Sequence, residues 1–501
     1  MEGARRSLLM ASLEQHAGLL VNFFTVMTIS RFLGPSETGL AIVGLGIAAI
    51  VFSLREFASP EFLIKLDKVR DEDIQTSITF LMSLTALLAA ALYMSRKYFA
   101  AFYNDESLIL FLDVTIVAAL IESVSFPVVA MLRREMAFGM LARIRTTGSC
   151  FGAAITVAMA YCGFGHMCMA FGLLASALVT TALALTLYPI GRLLRPNISA
   201  IQNAWRFGMY LGGNAALNKI CETFPQLMLG RFMPMASVGV YNRANTVSGL
   251  PDRVILSAVF TVAFPVLSAQ VREGTDLRES YIGALSYITV VYWPAQAVLA
   301  ILAYPAVHII LGPGWSDAIP IVAISSLASI FWFPVILTYP LLMALGHNRD
   351  AFLSNLLSRT VAALILCAAS FHGLLAVALS QFISSPFQMI VAILFVHKYV
   401  PYSYAALIQA LLRSGLVTVL TLIVPLAIVA ANDFSFEISW ITGGVIAIAA
   451  AVSWIIAVLS SRHPFARELI HIFNGVLRWL PVNWSAIRQS RSALTPPTPA
   501  D

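Results

Sequence analysis

The 501-residue chain is 59% hydrophobic and only 11% charged, with a mean hydropathy of +0.84 and a formal net charge of +6. A soluble domain carries roughly twice that share of charged residues, so a water-soluble enzyme or nucleic-acid binder is excluded and a lipid bilayer is the expected solvent. The five cysteines (Cys150, Cys162, Cys168, Cys221, Cys367) form no CxxC and have no histidine at metal spacing; they read as small buried hydrophobes.

About 20 apolar residues suffice to cross a bilayer. The chain offers fourteen such runs, at 8–31, 38–57, 76–95, 108–132, 144–162, 165–190, 207–230, 243–268, 280–303, 317–345, 350–370, 373–397, 406–431 and 437–460. The basic head Met1–Arg6 is not followed by a small-residue cleavage site, so it reads as the start of a retained first helix. An even number of spans places both termini on one side. The positive charges name that side: 22 of the 31 Lys and Arg lie on one set of loops, only Arg31, Arg96, Lys97 and Arg231 on the other, and five within spans. By the positive-inside rule both termini are cytoplasmic. The loops are too short to hide a soluble domain. After Ser460, Phe465, Leu469, Ile472, Val476 and Leu480 fall at helical spacing among Arg467, Arg478 and two tryptophans. That segment is expected to lie on the inner leaflet as an amphipathic helix, with a disordered end.

A weak repeat divides the chain. Shifting Ile29–Leu40 by 200 residues lays Arg31 on Arg231, Phe32 on Phe232 and Gly39 on Gly239, with Tyr241 close behind. A second correspondence, Phe126-Pro127 with Phe333-Pro334, has an offset of 207. Two similar halves are the mark of a transporter. The expected organisation is all-α and polytopic: a six-helix lobe over 1–200, a second over 201–400, two further spans over 401–460 and a cytoplasmic tail over 461–501.

Ionisable groups inside spans are costly, so each is a candidate for a water-filled cavity or a partner. Arg55 ends the second span and Arg243 opens the eighth. These are equivalent helices of the two halves, and the two arginines would face each other across a central cleft, binding an anion such as a diphosphate through their forked donors. The bland alternative is that both snorkel to the headgroups. Glu14, Lys219 and Glu222 are candidates for ion coupling or for the cavity wall. Lys219 and Glu222, three residues apart on one helix face, can instead pair as a clasp. Asp113 and Glu122 are weaker candidates. Pro127, Pro225, Pro265, Pro294, Pro334 and Pro386 are expected to kink their helices. No Walker A loop, HExxH or GxSxG is present, so no ATP, metal or cofactor is expected.

The motifs RFLGPSETG after the first span and GRFMPMASVGVYNRA between the seventh and eighth, in this order and spacing, resemble the polysaccharide transporters of the multidrug/oligosaccharidyl-lipid/polysaccharide (MOP) exporter superfamily. The resemblance covers residues from about 8 to 400. It implies a flippase of the bacterial inner membrane that moves undecaprenyl-diphosphate-linked oligosaccharide by alternating access, for exopolysaccharide, capsule or O-antigen. It also implies lipid-linked oligosaccharide and membrane lipids as binding partners, and a polysaccharide polymerase with chain-length or export proteins as associates. In the related lipid II flippases, arginines of the second and eighth helices line the cavity, and Arg55 and Arg243 stand at the matching places. The Arg-Asp pair those flippases carry in the first helix is absent, with Glu14 and Asn22 there instead, which argues against lipid II as cargo. Two rivals remain. A multidrug or cation antiporter of the same architecture would favour acidic groups in its cavity, whereas Arg55, Lys219, Arg243 and Arg359 favour an anionic cargo. A glycan polymerase or ligase would need a sizeable outer loop, which the chain lacks.

Overall fold

The computed structural model describes residues 2–66, 68–188, 196–197, 199, 201–433 and 435–471, with side chains from His16 onward apart from Lys65 and short stretches at 203–214 and 257–262. The expectations for the Glu14 side chain and for the tail beyond His471 lie outside the described residues.

Every regular element in the described residues is helical. Lipid offers no partner to a backbone N–H or C=O, and the helix satisfies both internally. Helices occupy all fourteen predicted stretches. They are α1 (Glu2–Ile29), α2 (Pro35–Ser53), α3 (Asp71–Tyr103), α4 (Ser107–Ser123, resuming at Phe126–Arg134), α5 (Phe138–Tyr161), α6 (Met167–Leu187) and α7 (Ile201–Phe232). Then come α8 (Met235–Ser248, resuming at Ser257–Glu273), α9 (Leu277–Ile301), α10 (Ala318–Ser329, resuming at Val335–Ala344), α11 (Asn348–Ser370), α12 (Leu374–His397), α13 (Tyr404–Ala431) and α14 (Trp440–Ser460). Ten of the fourteen stretches are long and apolar enough to cross a membrane, which makes this a multi-pass membrane protein. Among the described residues the stretches of α5, α7 and α8 fall short of that measure, and α1 contributes the shorter apolar run His16–Ile29. For α5 and α7 the reason is polar content (Arg143 and Arg145 in one; Lys219, Glu222 and several asparagines in the other). For α8 it is a break.

The breaks have identifiable causes. Pro251 cannot donate to the helical ladder, and α8 passes there through a π-helical turn at Asp252–Leu256. Pro127 and Pro334 sit where α4 and α10 are interrupted and restart, so the two Phe-Pro pairs of the repeat mark matching breaks. The largest buried cluster joins the two helix sets α1–α6 and α7–α12. It contains Val43 and Ile47 of α2, Leu112 of α4, Leu229 of α7, Val240 and Val247 of α8, and Trp315 and Val322 at α10. Helices α13 and α14 pack on α9, fixed by Trp454, whose Nε1 donates to the Val290 carbonyl at 2.8 Å. Their other faces expose Leu416, Val419, Ile423, Ile448 and Ile456, a surface suited to lipid. The start of the tail docks on the bundle: Phe465 and Leu469 pack against Val290, Val417 and Val458.

Candidate functional site

The repeat motifs meet each other. Helices α2 and α8 cross so closely that a Cβ at Gly39 would overlap the carbonyl oxygen of Met235, and one at Gly239 would overlap that of Pro35. Pro35 and Met235 are themselves related by the 200-residue shift, so the contact is reciprocal, as at a two-fold interface. The flanking arginines repeat the pattern. Arg31 Nη2 donates to the Ile309 carbonyl at 2.9 Å, while Arg231 lies over the Phe102 ring with Cζ 4.8 Å from its centroid. Ile309 and Phe102 are 207 residues apart, the offset of the second correspondence. Trp315 Nε1 donates to the Ser30 carbonyl at 2.7 Å, and the Tyr103 hydroxyl to that of Leu227 at 3.2 Å. These contacts seal the end of the molecule that carries the α1–α2 and α7–α8 turns.

The two candidate arginines have separate surroundings. Arg55 is held by α4: its Nη2 lies 3.5 Å from Glu122 Oε2, its Nε and Nη1 donate to the carbonyls of Phe52 and Ala119, and its guanidinium rests against Phe52 and Phe126. Arg243 follows the seal on α8, is only 4% exposed, and has Cζ 6.0 Å from the centre of the Trp315 ring. Its Nε and Nη2 have no hydrogen-bond partner. Lys219 and Glu222 form the expected intrahelical pair at 3.0 Å. Asp113 of α4 is paired with Arg96 at 3.1 Å. Tyr241 is buried in the core cluster that joins the helix sets. Among the described residues, no group of three or more His, Cys, Asp or Glu is placed to hold a metal ion.

A cavity of about 1010 Å³ lies within the second helix set, walled by α7, α8, α10, α11 and α12. From α7 it takes Asn218 and Cys221, neighbours of the Lys219–Glu222 pair, which stands outside its lining. Asp252, at the π-helical turn, accepts from the Tyr292 hydroxyl at 2.6 Å and from Gln296 Nε2 at 2.8 Å. On the opposite wall, Asn355 Nδ2 donates to Asn218 Oδ1 at 3.0 Å, and Arg359 Nε donates to Asn355 Oδ1 at 2.8 Å.

A family model described as a polysaccharide biosynthesis protein matches residues 28–320, more than half of the chain, and takes in both halves of the seal from Ser30 to Trp315. The chain belongs to this family. It is similar to the succinoglycan biosynthesis transport protein ExoT of Rhizobium meliloti, 23% identical over 335 residues (66% of this chain, 67% of the relative). It is also similar to the lipopolysaccharide biosynthesis protein WzxC of Escherichia coli, 22% identical over 58% of this chain and 60% of the relative. A third relative is the teichuronic acid biosynthesis protein TuaB of Bacillus subtilis, 20% identical, with 58% and 60% covered. The matches thus span 60 to 67% of the length of these relatives. Among solved structures, the fold matches the lipid II flippase MurJ in an inward closed conformation, with a TM-score of 0.74, 13% identity, and 92% of this chain and 100% of that one covered. It also matches an inward-facing multidrug resistance transporter of the MATE family and MOP superfamily, at 0.63 and 14%, covering 78% and 96%. The chain therefore shares the fold of these two transporters.

The cavity lies apart from most of the ionisable residues that the spans display. Its signal is uncharged. Ser354, Asn355, Ser358 and Arg359 recur at three- and four-residue spacing on one face of α11, and Gln381, Ser384, Ser385 and Gln388 do so on α12. Polar stripes of helical period inside apolar runs mark a wetted face.

Proposed function

We propose that the chain is a transporter, not an enzyme, which flips an undecaprenyl-diphosphate-linked oligosaccharide across the bacterial inner membrane for exopolysaccharide, capsule or O-antigen assembly. The observation that carries this reading is the reciprocal seal at Gly39 and Gly239. A contact built from matching backbone segments of two helix sets can open and close by rocking one set against the other, which alternating access requires. In this reading residues 1–200 and 201–400 act as the two lobes, 401–460 as a buttress and 461–501 as a cytoplasmic tail. All fourteen helices cross the membrane, and the sealed end faces the periplasm, as the charge split demands. A glycan crossing hydrocarbon unaided would lose water from many hydroxyls, at several kcal/mol for each unpaired group; a polar path between lobes removes most of that barrier.

Arg243 brings two unbonded guanidinium nitrogens to an anionic diphosphate once the seal opens. Arg55 reaches it by exchanging Glu122 for the cargo. Glu14 and the Lys219–Glu222 pair are the candidates for ion coupling, and a polymerase with chain-length or export proteins are the implied associates. The test is complementation of a bacterial mutant that lacks its polysaccharide flippase, with membrane insertion of each variant checked by blot. The intact chain restores surface polysaccharide, whereas Arg55→Ala and Arg243→Ala do not. Activity of Arg243→Lys means that charge suffices, and its loss means that two-pronged phosphate binding is needed. Full activity of all three variants refutes the arginine roles. Resistance to cationic drugs without complementation replaces the reading by that of an antiporter.

A further inference from the structure

The chamber in the second helix set is ringed by groups that the protein leaves unbonded. Ser354 and Ser358 of α11, with Ser384, Ser385 and Gln388 of α12, line it and are each more than nine-tenths buried. None of the five side chains has a hydrogen-bond partner among the described residues. Their hydroxyls and amide are thus free to exchange cavity water for the polar groups of an occupant. Arg359 adds a fixed donor: Asn355 holds its Nε, and its Nη groups have no partner among the described residues.

The chemistry of the lining narrows the occupant. It contains one guanidinium, Arg359, and one carboxylate, Asp252, already engaged by Tyr292 and Gln296. A polyphosphate calls for several cations and an organic cation for acidic or aromatic cages; this wall is close to neutral. Hydroxyls and amides both donate and accept, which matches the hydroxyls of a sugar. Trp332 and Tyr339 add apolar faces for the ring. The volume of about 1010 Å³ is at the top of the range of roughly 300–1,000 Å³ for small-molecule sites, enough for more than one ring. We propose that this chamber docks the sugar residues of the lipid-linked glycan, while the diphosphate and lipid stay outside it. The inference rests on the transport reading above and deepens it by separating where sugar and phosphate bind.

The test titrates the purified full-length chain in detergent micelles, by native mass spectrometry, with two probes. One is undecaprenyl diphosphate carrying a neutral tetrasaccharide; the other is undecaprenyl diphosphate without sugar. The intact chain is expected to prefer the glycosylated probe. Joint substitution Ser384→Ala with Gln388→Leu lowers affinity for that probe about tenfold, the worth of one or two ordinary hydrogen bonds, and leaves affinity for the sugar-free probe unchanged. Ser358→Leu, which fills the cavity from the opposite wall, does the same, and the unfolding midpoint of each variant shows that the fold has survived. Variants that keep the intact chain's preference refute the sugar chamber and leave the transport reading standing. Equal binding of both probes by the intact chain also refutes the chamber. If the intact chain binds neither, the transport reading falls with it.

Discussion

In the first helix set the space between α4, α5 and α6 measures about 360 Å³, and the corresponding space between α10, α11 and α12 about 1010 Å³. Some positions at the two spaces correspond. Glu122 and Phe126 match Ser329 and Phe333 at an offset of 207, and Ser176 and Thr180 match Ser384 and Gln388 at 208. What differs is how polar groups are used. The first set pairs its charges internally, Glu122 with Arg55 at 3.5 Å and Asp113 with Arg96 at 3.1 Å. The second draws its polar lining mainly from hydroxyls and amides, beside Asp252 and Arg359. The outer helices differ as well. Helix α7 packs along α2, where Gly208 and Gly212 admit the backbone of Phe57, whereas its counterpart α1 packs on α5. Near-symmetry is retained at the seal, where both halves must close on one another. It is lost at the cavities, which differ almost threefold in volume.

The largest effect is expected from breaking the symmetric part. Gly239→Val drives a side chain into the Pro35 carbonyl, while Gly34→Ala, with nothing within 4 Å of its Cβ, is the matched control. Overpacking of this kind costs roughly 1–3 kcal/mol or more. Complementation by the Gly239 variant is expected to fall on the order of tenfold, each kcal/mol lost from the closed state shifting its population about fivefold. Equal activity of variant and control would mean that the seal does not have to close. A smaller effect separates the two cavities. Glu122→Ala strands Arg55, and a fully buried pair would lose about 3–5 kcal/mol. The Glu122 side chain is 42% exposed and the contact is 3.5 Å long, so solvent screening reduces the expected loss to about 1 kcal/mol. Ser329→Ala, at the matching position, is expected to change the unfolding midpoint little, within about 0.5 kcal/mol. Smaller again, and of opposite sign, Ser384→Ala removes an unbonded hydroxyl and should leave stability unchanged or raise it by up to about 1 kcal/mol. A clear loss of stability there would show that this hydroxyl already has a structural bond.

Much of this architecture was legible in the residues because the bilayer enforces it. A run of 20 apolar residues has one stable conformation in lipid, so each predicted stretch holds a helix. The repeat could be read because the seal accepts little besides glycine at 39 and 239. Arg243 was less legible. Its charge is plain in the sequence, but its burial depends on tertiary neighbours such as Trp315, far along the chain, which no local pattern announces. The pairing of Arg55 with Glu122 escaped notice for the same reason, since it depends on how α4 lies against the end of α2. The chamber was missed because serine and asparagine inside apolar runs look like ordinary helix residues until their three- and four-residue spacing is counted.

A last asymmetry lies at the C-terminal end, where the second set alone is buttressed by α13, α14 and the docked start of the tail. His463 is the pin. Its Nε2 lies 3.0 Å from the Ser286 hydroxyl of α9 and 3.4 Å from that of Ser414 on α13, and its Nδ1 accepts from the Phe465 amide at 3.2 Å. Burial first, and the Arg413 charge second, hold its pKa below the usual histidine value. The folded state therefore favours the neutral ring. Its contribution to docking is complete above the unfolded pKa of about 6.5 and is lost as pH falls through the lower folded value, where the unfolded state binds the proton more readily. Protonation at Nδ1 also removes the acceptor for the Phe465 amide. Hydrogen exchange over Phe465–Leu469 should be slow at about pH 7.5 and faster at about pH 5.5, after correction for the intrinsic rate. In His463→Ala it should be fast at both. If exchange in the intact chain is equally slow at both values, Phe465 and Leu469 hold the tail by apolar packing alone, and the buttress owes nothing to the histidine.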